Sequence, residues 1–377
     1  MSGGDSAADL ADLLEQPSLE PPPGVIPDFV NNGGSHTIGY FVVIFCGVLS
    51  TLALLSRLGS RISLRRIKTE DVFLFIAYGL FVGYIYVIYE WSIYPGIRVH
   101  LWNLPLKNLE SFLYGVHLAS IFYGLAIMFL KAAILMDWLQ IFVPSGQRNL
   151  LFWVLHILVW SNILFFASGT LIELFRCHPR EKIWNPFFEG GSCPVDIKAN
   201  NMASGLINLV SDLAILLAPQ WVIWHLNASR SRKIGVSLLF VIGIFATACG
   251  ITRLVVLFQL MASPDQLYYI PDIGLWGIGE MTAGFLIIGI PSAPKTIKSI
   301  PGSDSVTSLL NSCRRRGAPT TNHDSKLPRR NPLTRKPRGL WEISDTDTFQ
   351  LMSVKSANSA NATQHVLPSS SDRDVSV

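Results

Sequence analysis

The sequence predicts an all-α membrane protein, a bundle of seven transmembrane helices with its N-terminus outside and its C-terminus in the cytoplasm. Of 377 residues, 50% are hydrophobic and only 15% are charged, whereas an ordinary soluble chain carries about 25% charged residues. Mean hydropathy is +0.38, high for a water-soluble chain of this length. Seven stretches are long and apolar enough to cross a hydrocarbon core of roughly 30 Å, which takes about 20 residues at about 1.5 Å of rise each. The runs are continuous rather than alternating with period two. Helices therefore fit and a membrane barrel does not.

Residues 1–37 are acidic and rich in Pro and Gly. They read as a flexible extracellular arm, without the basic and apolar regions of a cleavable signal peptide. The membrane domain spans residues 38–295, with helices over about 38–56, 72–90, 111–135, 149–172, 199–224, 234–261 and 273–291. The first holds no charge until Arg57, and the second closes on Glu90. The third contains His117 and Lys131, and the fourth lies between Arg148 and Glu173. Asp212, Arg253 and Glu280 each interrupt one of the last three. Gly79 and Gly83 form a G-x-x-x-G that predicts a close helix contact. Pro219 and Pro291 should kink or stop their helices.

Beyond the bundle, Val306, Leu309, Leu310 and Cys313 recur at helical spacing before Arg314, Arg315 and Arg316. Residues 296–316 thus read as a membrane-surface helix whose thiol, Cys313, is a candidate for acylation. A plain solvated tail is the alternative. Residues 317–377 are rich in Ser, Thr, Pro and Asn and are expected to be disordered.

Lysine and arginine placement sets the orientation. The first 37 residues have none, the first connection has Arg57, Arg61, Arg65, Arg66 and Lys68, and thirteen follow the seventh stretch. The third and fourth connections run against the trend, but the balance puts the N-terminus outside. The expected address is the plasma membrane, and the sequons at Asn227 and Asn361 fall inside and go unused.

Cys46 and Cys249 fall within helices and read as packing residues. Cys177 and Cys193 share the fourth connection, which faces the oxidising side, so a disulfide is expected. Closing a loop of this size is worth about 3 kcal/mol in the chain-entropy model. Trp184, Phe187 and Phe188 between them suggest an aromatic lid.

Ionisable side chains in lipid need partners. Arg253 lies about 12 Å and Glu280 about 10 Å from the outer face by helical rise, which predicts an Arg253–Glu280 pair. Glu90 and His117 share a depth near the outer face, and Asp212 lies close to the midplane. Lys131 is placed in an inner polar cluster with Glu70, Asp71 and Asp137, through a Lys131–Asp71 contact. Either these groups form a polar core beneath an outer ligand pocket, with Trp276 beside it, or they fix helix register.

Several functions are excluded by what the residues lack. No G-x-x-x-x-G-K-[ST], H-E-x-x-H or G-x-S-x-G is present, and the chain is not expected to be an enzyme. The seventh stretch has no lysine to carry retinal, and the transmembrane histidines, His117 and His156, do not make the paired set of a haem carrier. No cofactor, metal or nucleic acid is implied. Neither Asp-Arg-Tyr after helix three nor Asn-Pro-x-x-Tyr after helix seven, as in common animal receptors, is found.

In order along the chain come Glu70-Asp71, Leu130-Lys131, Ile134-Leu135, Cys177-His178-Pro179, Trp184 and Gly191-Ser192-Cys193. Asp212, Leu217-Ala218-Pro219, Trp224, Lys233, Arg253 and Trp276-x-x-x-Glu280 complete the set. This ordered set over residues 38–295 resembles the fungal rhodopsin-like domain family of seven-helix membrane proteins. That group includes pathogenicity-associated receptor-like proteins and membrane proteins of the satratoxin cluster. Two departures stand out. Asp137-Trp138-Leu139-Gln140 precede Ile141-Phe142 where the family often has an aromatic and an arginine, and the outer arm lacks a cysteine-rich module. The resemblance implies a receptor-like protein that senses a small, largely apolar ligand and signals to a cytoplasmic partner. Its alternative implication is an accessory membrane protein of a secondary-metabolite gene cluster that handles or exports a product.

Overall fold

The computed structural model describes residues 12–64, 67–143, 149–224, 230–293 and 296. Seven long helices follow one another: α1 (His36–Leu64), α2 (Thr69–Ile93), α3 (Leu109–Phe142), α4 (Leu150–Phe175), α5 (Ile197–Trp224), α6 (Arg230–Ala262) and α7 (Gln266–Gly289). Each holds a span long and apolar enough to cross a membrane. No strand forms among the described residues. The protein is a multi-pass membrane protein whose environment is a lipid bilayer.

These helices outrun the apolar stretches that predict them. The first continues past Arg57 and Arg61 to Leu64, and the seventh begins at Gln266 and carries Pro271 inside it. Apolarity reports the solvent, whereas a helix persists while its backbone and side chains find partners. The start of α2 shows this. Asp71, its third residue, accepts a 3.0 Å hydrogen bond from the Lys68 backbone N–H, the reach-back that closes a helix start. Glu70 and Asp71 also place negative charge on the positive end of the helix dipole.

The bundle is organised around α7. Of its most apolar window, 78% is buried, against 17% for α4. Glycine makes this possible: a Cβ on Gly289 would lie 2.6 Å from the Ala53 Cα, so the backbones of α1 and α7 touch. The expected G-x-x-x-G contact on α2 is only half made. Gly83 abuts the Phe122 ring at 3.1 Å from an added Cβ, but Gly79 faces open space. Past Gly289 the chain turns through Ile290–Ser292, with Pro291 ending α7 as expected, whereas α5 runs through Pro219 to Trp224.

The N-terminal arm corrects an expectation. Residues 12–35 are not a loose tether but are tied to the α2–α3 connection. Ser18 N–H and its hydroxyl both donate to the Leu104 carbonyl, at 2.9 and 2.8 Å. Asn32 Nδ2 donates to the Pro95 carbonyl at 2.7 Å, and Ser35 and Ile97 exchange backbone hydrogen bonds. Polar Pro-rich sequence reads as mobile, yet its backbone groups here find a docked partner. The connection is tied in turn to α7. Arg98 Nε lies 2.7 Å from Asp272, whose hydrogen bond raises the guanidinium pKa above its ordinary value. His100 Nδ1 lies 2.6 Å from Asp265.

Cys313, residues 317–377 and the surface segment beyond Thr296 lie outside the described residues, as does Asn227. The bundle has a disulfide end, where α4 connects to α5, and an arginine end, where α1 connects to α2.

Candidate functional site

At the disulfide end the helices enclose a cavity of about 290 Å³. Its walls are mostly apolar, with Trp91, Phe165, Leu254, Leu257 and Ile270 among them. The loop above is closed by the Cys177–Cys193 disulfide, with S–S 2.05 Å. His178 and Ser192 exchange two backbone hydrogen bonds of 2.9 Å just inside that bridge. Gly191 is required there: its φ is +71°, and a Cβ would lie 2.7 Å from the His178 carbonyl oxygen. This brings buried Ile183 onto the cavity and sets Trp184 edge-on to Tyr114 at 5.3 Å between ring centres. The expected aromatic lid is not what covers the cavity: the loop contributes Ile183, Trp184 packs on Tyr114 and His117 instead, and Phe187 is 52% exposed.

The floor is a polar septum drawn from five helices. Tyr123 of α3 donates to Glu280 of α7 at 3.1 Å, and Asn208 of α5 donates to the same carboxylate at 2.7 Å. Arg253 of α6 stands 3.5 Å from Glu280 and stacks over the Tyr123 ring at 4.4 Å from its centre. Lys131 Nζ meets Asp212 at 2.7 Å and donates to Asn208 Oδ1 at 2.7 Å and to Ser211 at 3.3 Å. Ser211 passes a 2.7 Å hydrogen bond to Asn162 of α4. The four charges, Arg253, Lys131, Glu280 and Asp212, balance. This is the condition for holding them in a low-dielectric interior.

Below the septum lies a smaller cavity of about 130 Å³, lined by Lys131, Asp212 and Glu280 at one end and by apolar groups such as Ile134, Leu216 and Phe240. At the arginine end a second charge cluster joins α1, α2 and α3. Arg57 contacts Asp71 at 3.0 Å and Asp137 at 2.5 Å. Arg61 meets Glu70 at 2.7 Å and Asp71 at 3.0 Å. Gln140 donates to Glu70 at 2.6 Å and accepts from Lys68.

The sequence-derived residues distribute unevenly over this geometry. Arg253, Glu280 and Asp212 meet in the septum, and Glu70, Asp71 and Asp137 meet at the arginine end. Lys131 is a correction: it joins Asp212 rather than Asp71, because its side chain aims at α5 while Asp71 is already held by two guanidiniums. His117 is buried, 3.1 Å from Glu173 of α4, and not beside Glu90, which is exposed on α2. Trp276 faces outward at 37% exposure, so it does not line the cavity. Sequence reasoning missed Tyr123, Asn162, Asn208, Glu173 and Arg176. Asn208, Ser211 and Asp212 could have been found together, since i, i+3 and i+4 share one helix face.

A seven-helix membrane bundle with a lidded cavity over a charge-balanced septum is the class of protein that these observations define. The chain belongs to the fungal rhodopsin domain family, whose model matches residues 56–299. It is 32% identical over 288 residues to Fugralins biosynthesis cluster protein 2 of Gibberella zeae, covering 76% of this chain and 71% of the relative. A SAT4 family membrane protein of Emericella nidulans is 28% identical over 238 residues, 63% of this chain and 59% of that one. Satratoxin biosynthesis SC1 cluster protein 4 of Stachybotrys chartarum matches a shorter stretch, 32% identical over 85 residues, 22% of this chain and 31% of its own length. No solved structure matches.

Proposed function

We propose that the chain is a receptor-like protein of the plasma membrane, not an enzyme, which binds a small, largely apolar ligand at the disulfide end. The observation that carries this reading is the 290 Å³ cavity, with apolar walls, polar floor and a disulfide-closed lid. A concave apolar pocket with a few convergent polar groups is the usual form of a small-molecule site. In this reading the disulfide end and the N-terminus face outward, in keeping with the lysine and arginine distribution. Occupancy bears on Tyr123 and Arg253 and, through Glu280, Asn208 and Asp212, on α5 and α6. The basic loops and tail then pass the change to a cytoplasmic signalling partner. The test is a cyclic-AMP dose-response in fungal cells carrying the full chain, challenged with a broad panel of lipophilic metabolites. A saturable response that Tyr123→Ala weakens supports the reading. A flat response with the protein shown at the cell surface sinks it.

A second reading follows from the relatives' names. Two of those described above are named as biosynthesis cluster proteins. On that reading the cavity handles a product of secondary metabolism, and the septum separates two chambers through which it moves. Deleting the gene would then abolish or strand one metabolite while signalling stays intact.

A further inference from the structure

We propose that the ligand of the large cavity is an amphipathic organic acid, an apolar body bearing a carboxylate that Arg253 recognises at the floor, with Arg176 at the mouth drawing the anion in. This rests on the binding reading above and narrows it to one chemical class.

Two guanidinium groups border the cavity, and the Nε of each is buried with no hydrogen-bond partner among the described residues. An unpaired buried donor is costly, more so when charged. The other buried cations of the bundle are not left this way. Lys131 contacts Asp212, Asn208 and Ser211, and Arg57 and Arg61 are engaged by Glu70, Asp71 and Asp137. The open donors thus occur where the bundle also leaves space.

Their positions differ. Arg176 follows the last residue of α4 at the mouth, while Arg253 lies nine residues before the end of α6, roughly 13 Å deep by helical rise. Nearby acids do not saturate them. Glu280 stands 3.5 Å from Arg253 but spends its oxygens on Tyr123 and Asn208. Glu173, which also lines the wall, is shared between Arg176 at 3.6 Å and His117 at 3.1 Å. Each guanidinium thus has a carboxylate neighbour that balances its charge, at 3.5 and 3.6 Å from Nε, and it is the open Nε donors, not net charge, that a ligand carboxylate would meet.

The planar fork of arginine fits carboxylate geometry. On the same wall, Leu254, Leu257 and Ile270 supply apolar surface for the rest of the molecule. A neutral hydrocarbon leaves both Nε groups open, an amine meets two like charges, and a sugar loses its hydrogen bonds against the leucines. An acid on an apolar body satisfies every part of the wall. The same chemistry could come from a free acid or from an anionic lipid headgroup. The buried floor favours the free acid.

The test uses the full chain in phosphatidylcholine nanodiscs, titrated with 11-bromoundecanoic acid and, separately, with 11-bromoundecan-1-ol. Bromine quenches tryptophan on contact, and Trp91 lines the cavity. The acid should saturate the quenching at a concentration roughly tenfold or more below that of the alcohol, the scale of a charge-assisted hydrogen bond. Trp91→Phe should remove the saturable component. Arg176→Gln and Arg253→Gln should each bring the acid-to-alcohol ratio toward one. If Arg253→Gln does not fold, Arg176→Gln at the helix end still decides the ratio. Equal saturation by acid and alcohol overturns the acid assignment and leaves the binding reading standing. No saturable quenching by either probe removes both. Adding phosphatidylglycerol to the nanodiscs should leave the acid titration in place, and its loss there would reassign the arginines to a lipid headgroup.

Discussion

Two sets of buried arginines sit in one bundle under opposite conditions. Arg57 and Arg61, at the arginine end, are matched by Glu70, Asp71 and Asp137 at 2.5 to 3.8 Å. Arg176 and Arg253, around the large cavity, have ion-pair neighbours at 3.5 and 3.6 Å but leave each Nε without a hydrogen bond. Burial alone does not distinguish the two sets, but saturation does. A cluster whose donors and acceptors all meet fixes how α1, α2 and α3 stand. A cation whose ion-pair partner stands beyond hydrogen-bond distance, beside empty volume, is what the proposed ligand would meet.

That contrast can be broken most directly at Arg57. Replacing it with Ala leaves buried Asp71 and Asp137 short of a counter-charge, and breaking such a cluster costs about 3–5 kcal/mol. The unfolding midpoint in detergent should drop sharply, with loss of the monodisperse species. A shift no larger than that of a surface substitution would show that the cluster does not hold the helices. Next in size is Lys131→Met, which strands Asp212 and should cost about 3 kcal/mol. Adding Asp212→Leu should recover most of that loss in the same melt, and a double variant as poor as the single one would mean that Lys131 acts by packing alone. Smallest is Arg176→Gln, expected within about 0.5 kcal/mol of the parent. A large loss there would place Arg176 with the saturated set.

The spans were legible because length and hydropathy together answer one question, which residues tolerate lipid. Their ends were not, since α1 continues through Arg57 and Arg61 on the strength of partners in α2 and α3. Depth arithmetic found Arg253 opposite Glu280 because both lie on adjoining helices at matching heights. The same arithmetic paired Lys131 with the wrong acid, and the depth that Glu90 shares with His117 brings no contact between them. Height is only one coordinate, and the direction a side chain faces around its helix is another. Asn208 and Tyr123 went unread for a related reason: neutral polar groups hardly register in hydropathy, although they bridge the charges of the septum. The arm was misread because its composition says nothing about the exposed carbonyls of Pro95 and Leu104 that receive it.

The contact between Gly289 and Ala53 has a mechanical corollary. With main chain against main chain, α1 and α7 form a single strut that cannot be compressed further, and α7 carries Glu280. On the far side stands α4, of whose most apolar window only 17% is buried and whose outer face presents Trp153, Trp160, Leu164 and Phe175. The rigid side of the bundle is thus the one where backbones touch, and the side turned to lipid is the one held by side chains alone.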